Sequence, residues 1–497
     1  MHKRNRVPLL MAILVVMLGL ALPLWGCGQA QEAAPAAQEA APSESTNQAE
    51  ATQTTEEATQ ESATQEEPAS QESTTPEEPA TQDFHNPGDG YKLQQVVVLS
   101  RHNIRAPLST TGSALDLATP HSWINWTANA SELTMRGGAL ETMAGEYVRK
   151  WLETEGLIPE NYQPKEGEVR FYANSKQRTI ATAQYFSSGM LPVANVDIET
   201  HVDYDTMDPV FNPVTTFITG SYVDAALKQM ETMGGATGAQ DVAAELADSY
   251  ALIEDVVDYK ESDAYKSGEI KDLDTSDIEL TLEKDKEPAV SGSLKTACQL
   301  SDGLVLQYYE TPDDAAAAFG HDLTAEQWTL ISRAKDFYGD LLFTSPLVAY
   351  NVAHPLLEEI GKEMDTQGRV FTFLCGHDSN IGSVLAALGV EKYELPGAIE
   401  TATPIGVKLV FERWADASGK EFGRVRLMYQ SVEQLREGTM LAGTESPMSV
   451  DLSFDGLEKN ADGLFSYDEL RSHIADAAAE YDNIVQEYGE EELDQAA

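Results

Sequence analysis

Three apolar runs of strand length stand out along the chain: residues 96–99 (VVVL), 169–173 (VRFYA) and 370–375 (VFTFLC). A strand of a parallel sheet reads as a nearly continuous hydrophobic run because helices cover both of its faces. Longer segments with helical spacing, such as residues 241–259, lie between the runs. The pattern predicts an α/β fold with a mixed, mostly parallel sheet flanked by helices, and a helical cap lobe inserted mainly at residues 192–295.

Charged side chains directly follow two of these runs. Arg101, His102 and Arg105 come after the first, and His377 and Asp378 come after the third. Ligands of open α/β sheets bind at the carboxyl ends of the strands, so we expect these five side chains to share one site. Arginine forks match the oxygens of a phosphate, while His and Asp transfer protons. The set is typical of phosphate-ester chemistry.

The run at residues 169–173 leads to a further arginine. Asn174 and Ser175 are a turn or helix-capping signal, and Arg178 falls in the first turn of the helix that follows. A helix start offers free N–H groups and the positive end of the helix dipole to a bound phosphate. We therefore expect Arg178 to join the same site.

The motifs that contain these residues resemble those of a known family. The chain carries RHNIRAP (101–107), YANS (172–175), QRT (177–179), LFTSP (342–346) and GHDSN (376–380). Together they resemble the histidine acid phosphatases, the branch of the histidine phosphatase superfamily that holds phytases and glucose-1-phosphatases. The family motif is Arg-His-Gly-x-Arg-x-Pro, and Asn103 stands where the glycine usually does, which is similar to bacterial periplasmic glucose-1-phosphatases.

The resemblance implies a phosphoglycerate-mutase-like core and a two-step reaction. His102 would be the nucleophile that forms a phosphohistidine, and Asp378 would protonate the leaving oxygen and then activate water. Asp378 must start protonated, so it needs a raised pKa or an acidic medium, and we expect an acid-shifted optimum. The phosphate would be bound by Arg101, Arg105, Arg178 and His377. Because arginines neutralise the phosphate charge, we expect neither a metal nor a cofactor.

Two further segments have competing interpretations. Glu310 lies where the glucose-1-phosphatase-like branch has a pocket residue that contacts the sugar, and it reads equally well as an ordinary exposed residue at a helix end. Residues 458–469 nearly fit an EF-hand calcium loop. The loop would begin with Glu458 instead of Asp, however, and residues 450–454 before it alternate like a strand. We therefore predict a turn there and no metal.

The N-terminal segment predicts export. Residues 2–6 are basic and residues 7–25 are uncharged and apolar, and the sequence LPLWGC ends in a cysteine, Cys27, as in a bacterial lipoprotein signal. We interpret residues 1–27 as that signal, with Cys27 lipidated; the alternative is an uncleaved membrane anchor. Residues 28–84 are rich in Ala, Glu, Gln and Thr and poor in apolar side chains, which predicts a disordered acidic tether.

The folded part is predicted at residues 85–480, with the α/β core at about 90–190 and 296–455 and an acidic tail at 481–497. The formal net charge of −49 excludes the basic footprint that nucleic acid or an anionic membrane surface requires. We expect membrane contact only through the lipid anchor. The same charge weighs against the polyanion phytate as the preferred substrate. The two cysteines of the folded part, Cys298 and Cys375, are predicted to be free thiols.

These observations favour an exported, lipid-tethered acid phosphatase of the cell envelope, in the periplasm or on the outer face of the membrane. Its substrates would be small phosphomonoesters, with glucose-1-phosphate as the leading candidate. A phytase with the same chemistry is the alternative within the family. From a different class, the chain could be a catalytically weak surface lipoprotein that binds phosphorylated ligands.

Overall fold

The computed structural model describes residues 87–495 apart from 89, 109–111, 234–240, 242–243 and 442–444, with side chains as far as residue 489. The predicted signal peptide with Cys27 lies outside these residues, as does the tether. Within them, no helix combines the length and the apolar character that crossing a membrane requires.

A seven-stranded mixed sheet forms the centre of the fold. Its strand order is β2-β5-β1-β6-β7-β8, with β9 paired to β7, while β3 and β4 form a separate ribbon. The strands are β1 (Lys92–Arg101), β2 (Val169–Ala173), β3 (Glu279–Thr281), β4 (Ala289–Ser291), β5 (Phe371–Gly376), β6 (Lys408–Ala415), β7 (Glu421–Tyr429), β8 (Met448–Asp451) and β9 (Phe465–Ser466). Strands β2, β5 and β1 are parallel, and the other pairings in this sheet are antiparallel. The predicted α/β fold with a mixed sheet is confirmed.

Helices cover both faces of the sheet and build the cap. In the described part of the chain they are α1 (Ala114–Leu117), α2 (Met135–Thr154), α3 (Gln177–Met190), α4 (Gly220–Glu231), α5 (Ala247–Val256), α6 (Asp263–Ser267), α7 (Ser293–Glu310), α8 (Asp314–Ala317), α9 (Ala325–Phe343), α10 (Pro346–Asp365), α11 (Asp378–Ala387), α12 (Val432–Glu437) and α13 (Tyr467–Gln495). Several begin at a residue that caps the free N–H groups. Thr134 accepts from the N–H of Gly137 at α2, and Thr324 and Gln327 form a capping box at α9.

Strand β1 is buried on both faces, which explains its continuous apolar sequence. Val96 and Val98 belong to the cluster formed with α2 and α3, whereas Val97 and Leu99 belong to the cluster formed with α10 and α11. Alternate side chains of a strand point to opposite faces, so only an unbroken apolar run satisfies both clusters.

The cap packs around a hydrophobic cluster that it shares with part of the core. Tyr222 from α4 and Ile253 from α5 meet Leu300 from α7 and Ile331 from α9 in this cluster. Helix α5 lies within the segment 241–259 that was predicted as a cap helix. Helices α7 and α9 bury their apolar sides in the same cluster, and the predicted boundary at residue 296 falls inside α7. The extent of the cap at residues 192–295 stays a prediction.

The C-terminal helix α13 corrects the predicted acidic tail. It starts at Tyr467 and continues without a break to Gln495, across the expected boundary at residue 480. Leu470 and Ile474 pack in the core, and further along Ile484 is buried in the cap cluster. Apolar side chains at helical spacing therefore hold the segment after residue 480 as part of the fold.

Candidate active site

Three strand ends meet at one edge of the sheet and open into a cleft between the core and the cap. In the parallel register Arg101 lies opposite Gly376, and Ala173 lies opposite Cys375, so the residues after these strands are neighbours. The cleft has a volume of about 370 Å³. Five of the six predicted site residues line it: His102, Arg105, Arg178, His377 and Asp378.

Hydrogen bonding fixes the position of the proton on His102. Its Nδ1 lies 2.9 Å from the carbonyl oxygen of Asn103, which can only accept, so Nδ1 carries the hydrogen and Nε2 keeps its lone pair. Burial lowers the pKa of His102 well below its ordinary value, and the nearby Arg178 and His377 lower it further. The ring is therefore neutral at mildly acidic pH, as a nucleophile requires.

Asn103, which replaces the glycine of the family motif, is held by a buried polar chain. Its Nδ2 donates to Glu141 Oε1 at 2.9 Å, and the same oxygen accepts from Lys408 Nζ at 2.9 Å. Gly406 makes room for this side chain, because a Cβ there would lie 2.7 Å from Asn103 Nδ2. The chain fixes the loop that carries His102.

His377 is oriented by Asn174, a residue that the sequence analysis treated only as a turn signal. The backbone N–H of Asp208 donates to Asn174 Oδ1 at 2.9 Å, so the amide nitrogen faces His377 Nε2 at 2.7 Å. Nε2 must accept this bond, and the proton of the neutral ring lies on Nδ1. Nη2 of Arg178 lies 3.4 Å from that Nδ1. Nη2 of Arg178 and the Nδ1–H of His377 are thus two neighbouring hydrogen-bond donors in the cleft.

Buried arginine nitrogens without partners indicate an anion site nearby. The Nε atoms of Arg101, Arg105 and Arg178 are buried and have no hydrogen-bond partner among the described residues. Asp302 holds Arg105 by contacts of 3.1 and 3.2 Å to Nη2. A buried donor left without a partner costs roughly 1–3 kcal/mol. A bound oxyanion such as phosphate would remove this cost.

Arg101 lies behind the cleft, in a buried ionic network. Its Nη1 donates to Glu400 Oε1 at 2.7 Å and to the carbonyl of Thr403 at 2.5 Å, and its Nη2 lies 3.3 Å from Asp378 Oδ2. The arginine thus connects the predicted proton donor to the interior of the protein.

Glu400, which the sequence analysis missed, anchors this network. Its Oε1 also accepts from Lys335 Nζ at 2.6 Å, while Oε2 accepts from the hydroxyl of Tyr309 and the N–H of Ile405. Burial by itself raises the pKa of Glu400, but Lys335 and Arg101 outweigh burial and lower the pKa to about 2. The ionised carboxylate is fully satisfied and holds Arg101 in place. A loop carboxylate of this kind has no periodicity or motif that would reveal it.

Asp378 is the first residue of α11, and its side chain is 44% exposed to the cleft. Burial raises the pKa of this carboxyl, but Arg101 and Lys335 outweigh burial and hold the pKa well below its usual range. Asp378 is therefore ionised beside these cations, which differs from the raised pKa that the sequence analysis considered. A bound phosphate offsets the same positive charges and would restore the proton to the carboxyl.

Glu310 does not line the cleft, which corrects its interpretation as a sugar contact in the pocket. It ends α7, and its carboxylate accepts from Thr134 at 2.8 Å and from Thr127 at 3.1 Å. Thr134 is also the N-cap of α2. In this structure Glu310 therefore supports the start of α2 and is more buried than an ordinary helix-end glutamate.

The two cysteines in the part of the chain that the structure describes are free thiols, as predicted. Cys298 lies in the cleft wall, and Cys375 is buried at the end of β5. Burial raises the pKa of both thiols, so they remain protonated. Among the described residues, no group of three or more His, Cys, Asp or Glu side chains is arranged to hold a metal ion.

The fold and the cleft define a phosphatase. The model of the histidine phosphatase superfamily (branch 2) matches residues 92–430, and the chain belongs to that family.

The similarity extends over most of the chain. A glucose-1-phosphatase of Salmonella typhimurium is 38% identical over 395 residues, which cover 78% of this chain and 94% of the relative. The phytase AppA of Escherichia coli is 30% identical over 399 residues, which cover 76% of this chain and 89% of the relative. Among solved structures, the apo form of the Hafnia alvei phytase has a TM-score of 0.71 at 27% identity and covers 78% of this chain and 98% of its own.

Proposed function

We propose that the protein is an exported acid phosphatase that hydrolyses small sugar phosphates, glucose-1-phosphate foremost, through a phosphohistidine at His102. The observation that carries the chemistry is the neutral His102, with its Nε2 available and three arginines around it. In the first step the lone pair of Nε2 attacks phosphorus, the P–O bond breaks, and Asp378 protonates the leaving oxygen. In the second step water releases inorganic phosphate and frees the histidine. The arginines supply the positive charge, so we propose turnover without a metal.

The acidic wall of the cleft supports a substrate with a single phosphate. Beyond the arginines the wall includes Glu287, Asp336 and Asp340. Carboxylates accept hydrogen bonds from sugar hydroxyls and repel further phosphate groups. The same wall holds two lysines, Lys295 and Lys335, and Lys335 is already paired with Glu400 at 2.6 Å. A hexose monophosphate therefore suits the cleft better than an inositol polyphosphate.

A phytase is the second candidate, because the similarity to phytases covers nearly the same length of chain. The test is phosphate release from glucose-1-phosphate, phytate and p-nitrophenyl phosphate in excess EDTA, with the chain lacking residues 1–82. We expect turnover that EDTA does not reduce, and a higher kcat/KM for glucose-1-phosphate than for phytate. The reverse ratio would make the protein a phytase. If phosphate is released from none of the three, a ligand-binding lipoprotein becomes the favoured function.

The pH dependence follows from the charge on Asp378. Because Arg101 lowers the pKa of this carboxyl, we expect the proton for the leaving group to arrive with the substrate, as the phosphate monoanion. The second pKa of a phosphate monoester is about 6, so kcat/KM is expected to fall tenfold per pH unit above about 6. For a monoester with a lower second pKa, the pH above which kcat/KM falls should be lower by the same amount. If kcat/KM falls above the same pH for both substrates, the titrating group belongs to the enzyme and not to the substrate.

Export with a lipid anchor rests on the sequence alone. The basic residues 2–6, the apolar residues 7–25 and the following Cys27 support it. Expressed in bacteria that are fed a labelled fatty acid, the full chain should incorporate the label, and Cys27→Ser should not. Cys298→Ser is the matched control and should keep the label. Equal labelling of the Cys27 variant would contradict the anchor.

A further inference from the structure

A second cavity, here called the side pocket, adjoins the cleft along helix α11. The two share part of their walls, including Asp340, Thr344 and Gly382. The side pocket has a volume of about 230 Å³. Beyond the shared part it is lined by Met233, Leu385, Ala386, Val390 and Tyr393.

The side pocket lies on the side of the leaving group. Asp378, the proposed proton donor to the leaving oxygen, begins α11, and Gly382 and Ala386 follow at intervals of four residues. Residues at this spacing lie along one face of a helix. A substrate whose leaving group contacts Asp378 can therefore extend along the same face into the side pocket.

Asp340 stands at the junction of the two cavities without a partner of its own. Among the described residues its carboxylate makes no hydrogen bond or ion pair. Asp336, one turn earlier on α9, differs because its oxygens contact Lys335 at 3.4 Å and the N–H of Thr401 at 2.6 Å. A carboxylate at the cavity wall can accept hydrogen bonds from a ligand, and a sugar hydroxyl is a suitable donor.

Burial, together with the neighbouring Asp336, raises the pKa of Asp340 to about 7. At acidic pH the carboxyl is protonated, and it can both donate to and accept from hydroxyl groups.

The side pocket itself has the features of a sugar site. At its floor, a Cβ on Gly382 would meet only Thr344 Cγ2, at 3.8 Å, so the surface of α11 is open there. The ring of Tyr393 forms one wall, and its hydroxyl donates to the carbonyl of Ala402 at 2.9 Å, which fixes the ring. An aromatic face among apolar side chains, with a few polar groups nearby, suits the apolar face of a pyranose.

Building on the proposed function, we propose that the side pocket binds a second sugar ring, so that the enzyme hydrolyses disaccharide 1-phosphates. Asp340 bonds hydroxyl groups of the first sugar, and the second ring packs on Tyr393. The reaction is the same hydrolysis: the P–O bond breaks, His102 takes the phosphoryl group, and the disaccharide leaves with the proton from Asp378.

The experiment compares maltose 1-phosphate, glucose-1-phosphate and p-nitrophenyl phosphate on the wild type and on Ala386→Phe, which fills the side pocket. We expect a loss of about tenfold or more in kcat/KM for maltose 1-phosphate, the size of a lost pocket contact, and changes below about twofold for the other two. Val390→Trp fills the side pocket from another wall and should have the same effect. It replaces Ala386→Phe if that variant does not fold. Ala325→Phe, at the exposed start of α9, is the matched control and should change none of them.

Asp340 is tested on the same substrates. Asp340→Leu should lower kcat/KM for both sugar phosphates about tenfold and spare p-nitrophenyl phosphate, and Asp340→Asn, which keeps hydrogen-bonding atoms, should lose less. Equal losses on all three substrates would reject Asp340 as a sugar contact. A wild type active on glucose-1-phosphate but about a thousandfold weaker on maltose 1-phosphate would reject the subsite alone. Inactivity toward all three would overturn the proposed function, and the subsite with it.

Discussion

Replacing His102 with alanine is expected to reduce phosphate release by at least about 10⁴-fold, with both glucose-1-phosphate and p-nitrophenyl phosphate. The reason is that no other described side chain in the cleft offers a neutral nucleophilic nitrogen: Nε2 of His377 already accepts from Asn174. Acid quenching of a reaction with ³²P-labelled substrate should trap a phosphoenzyme in the wild type and none in His102→Ala.

The fold should survive this change. The ring of His102 makes one side-chain hydrogen bond, to the adjacent Asn103 carbonyl, and the Asn103–Glu141–Lys408 chain holds its loop independently. We expect the unfolding temperature to change by no more than a few degrees. His321→Ala, outside the cleft, is the matched control and should keep full activity. Substantial turnover or a trapped phosphoenzyme in a folded His102→Ala protein would contradict the nucleophile assignment.

Asp378→Asn is expected to affect substrates according to their leaving groups. A sugar alkoxide needs a proton as the P–O bond breaks, so kcat for glucose-1-phosphate should fall by about 10²–10⁴-fold. The p-nitrophenolate ion leaves without a proton, and its release should fall far less. Phosphoenzyme formation from p-nitrophenyl phosphate, measured in the pre-steady state, should therefore persist in the variant.

The same substitution also removes a negative charge beside Arg101, whose Nη2 lies 3.3 Å from the carboxylate. Binding of inorganic phosphate as a product inhibitor should therefore tighten in Asp378→Asn, since a group that repels it is gone. Asp322→Asn, on the exposed segment before α9, is the control. Equal losses of activity on both substrates would count against Asp378 as the proton donor.

The strand-end residues could be predicted from the sequence because their positions follow from local rules. Burial on both faces makes β1 and β5 continuous apolar runs, and parallel pairing brings the residues after them to one edge. His102, His377 and Asp378 therefore lie together in the structure as the sequence suggested. Their catalytic roles remain predictions that the two substitutions above would test.

Glu400, Asn174 and the position of Glu310 could not be predicted in the same way. Each depends on a partner far away in the chain: Glu400 on Arg101, Asn174 on His377, and Glu310 on Thr134. Long-range contacts of this kind leave no periodic signal.

The direction of strand β1 has a practical consequence for the use of this protein. The chain enters the sheet at Lys92, and the cleft lies at the other end of the strand, after Arg101. Ten residues of strand span roughly 30 Å. Tyr91 fixes the entry point, since its hydroxyl donates to Asp462 at 2.7 Å. An N-terminal affinity tag or bead linkage would thus join the domain at the end remote from the catalytic opening, and immobilised enzyme should admit substrate as freely as enzyme in solution.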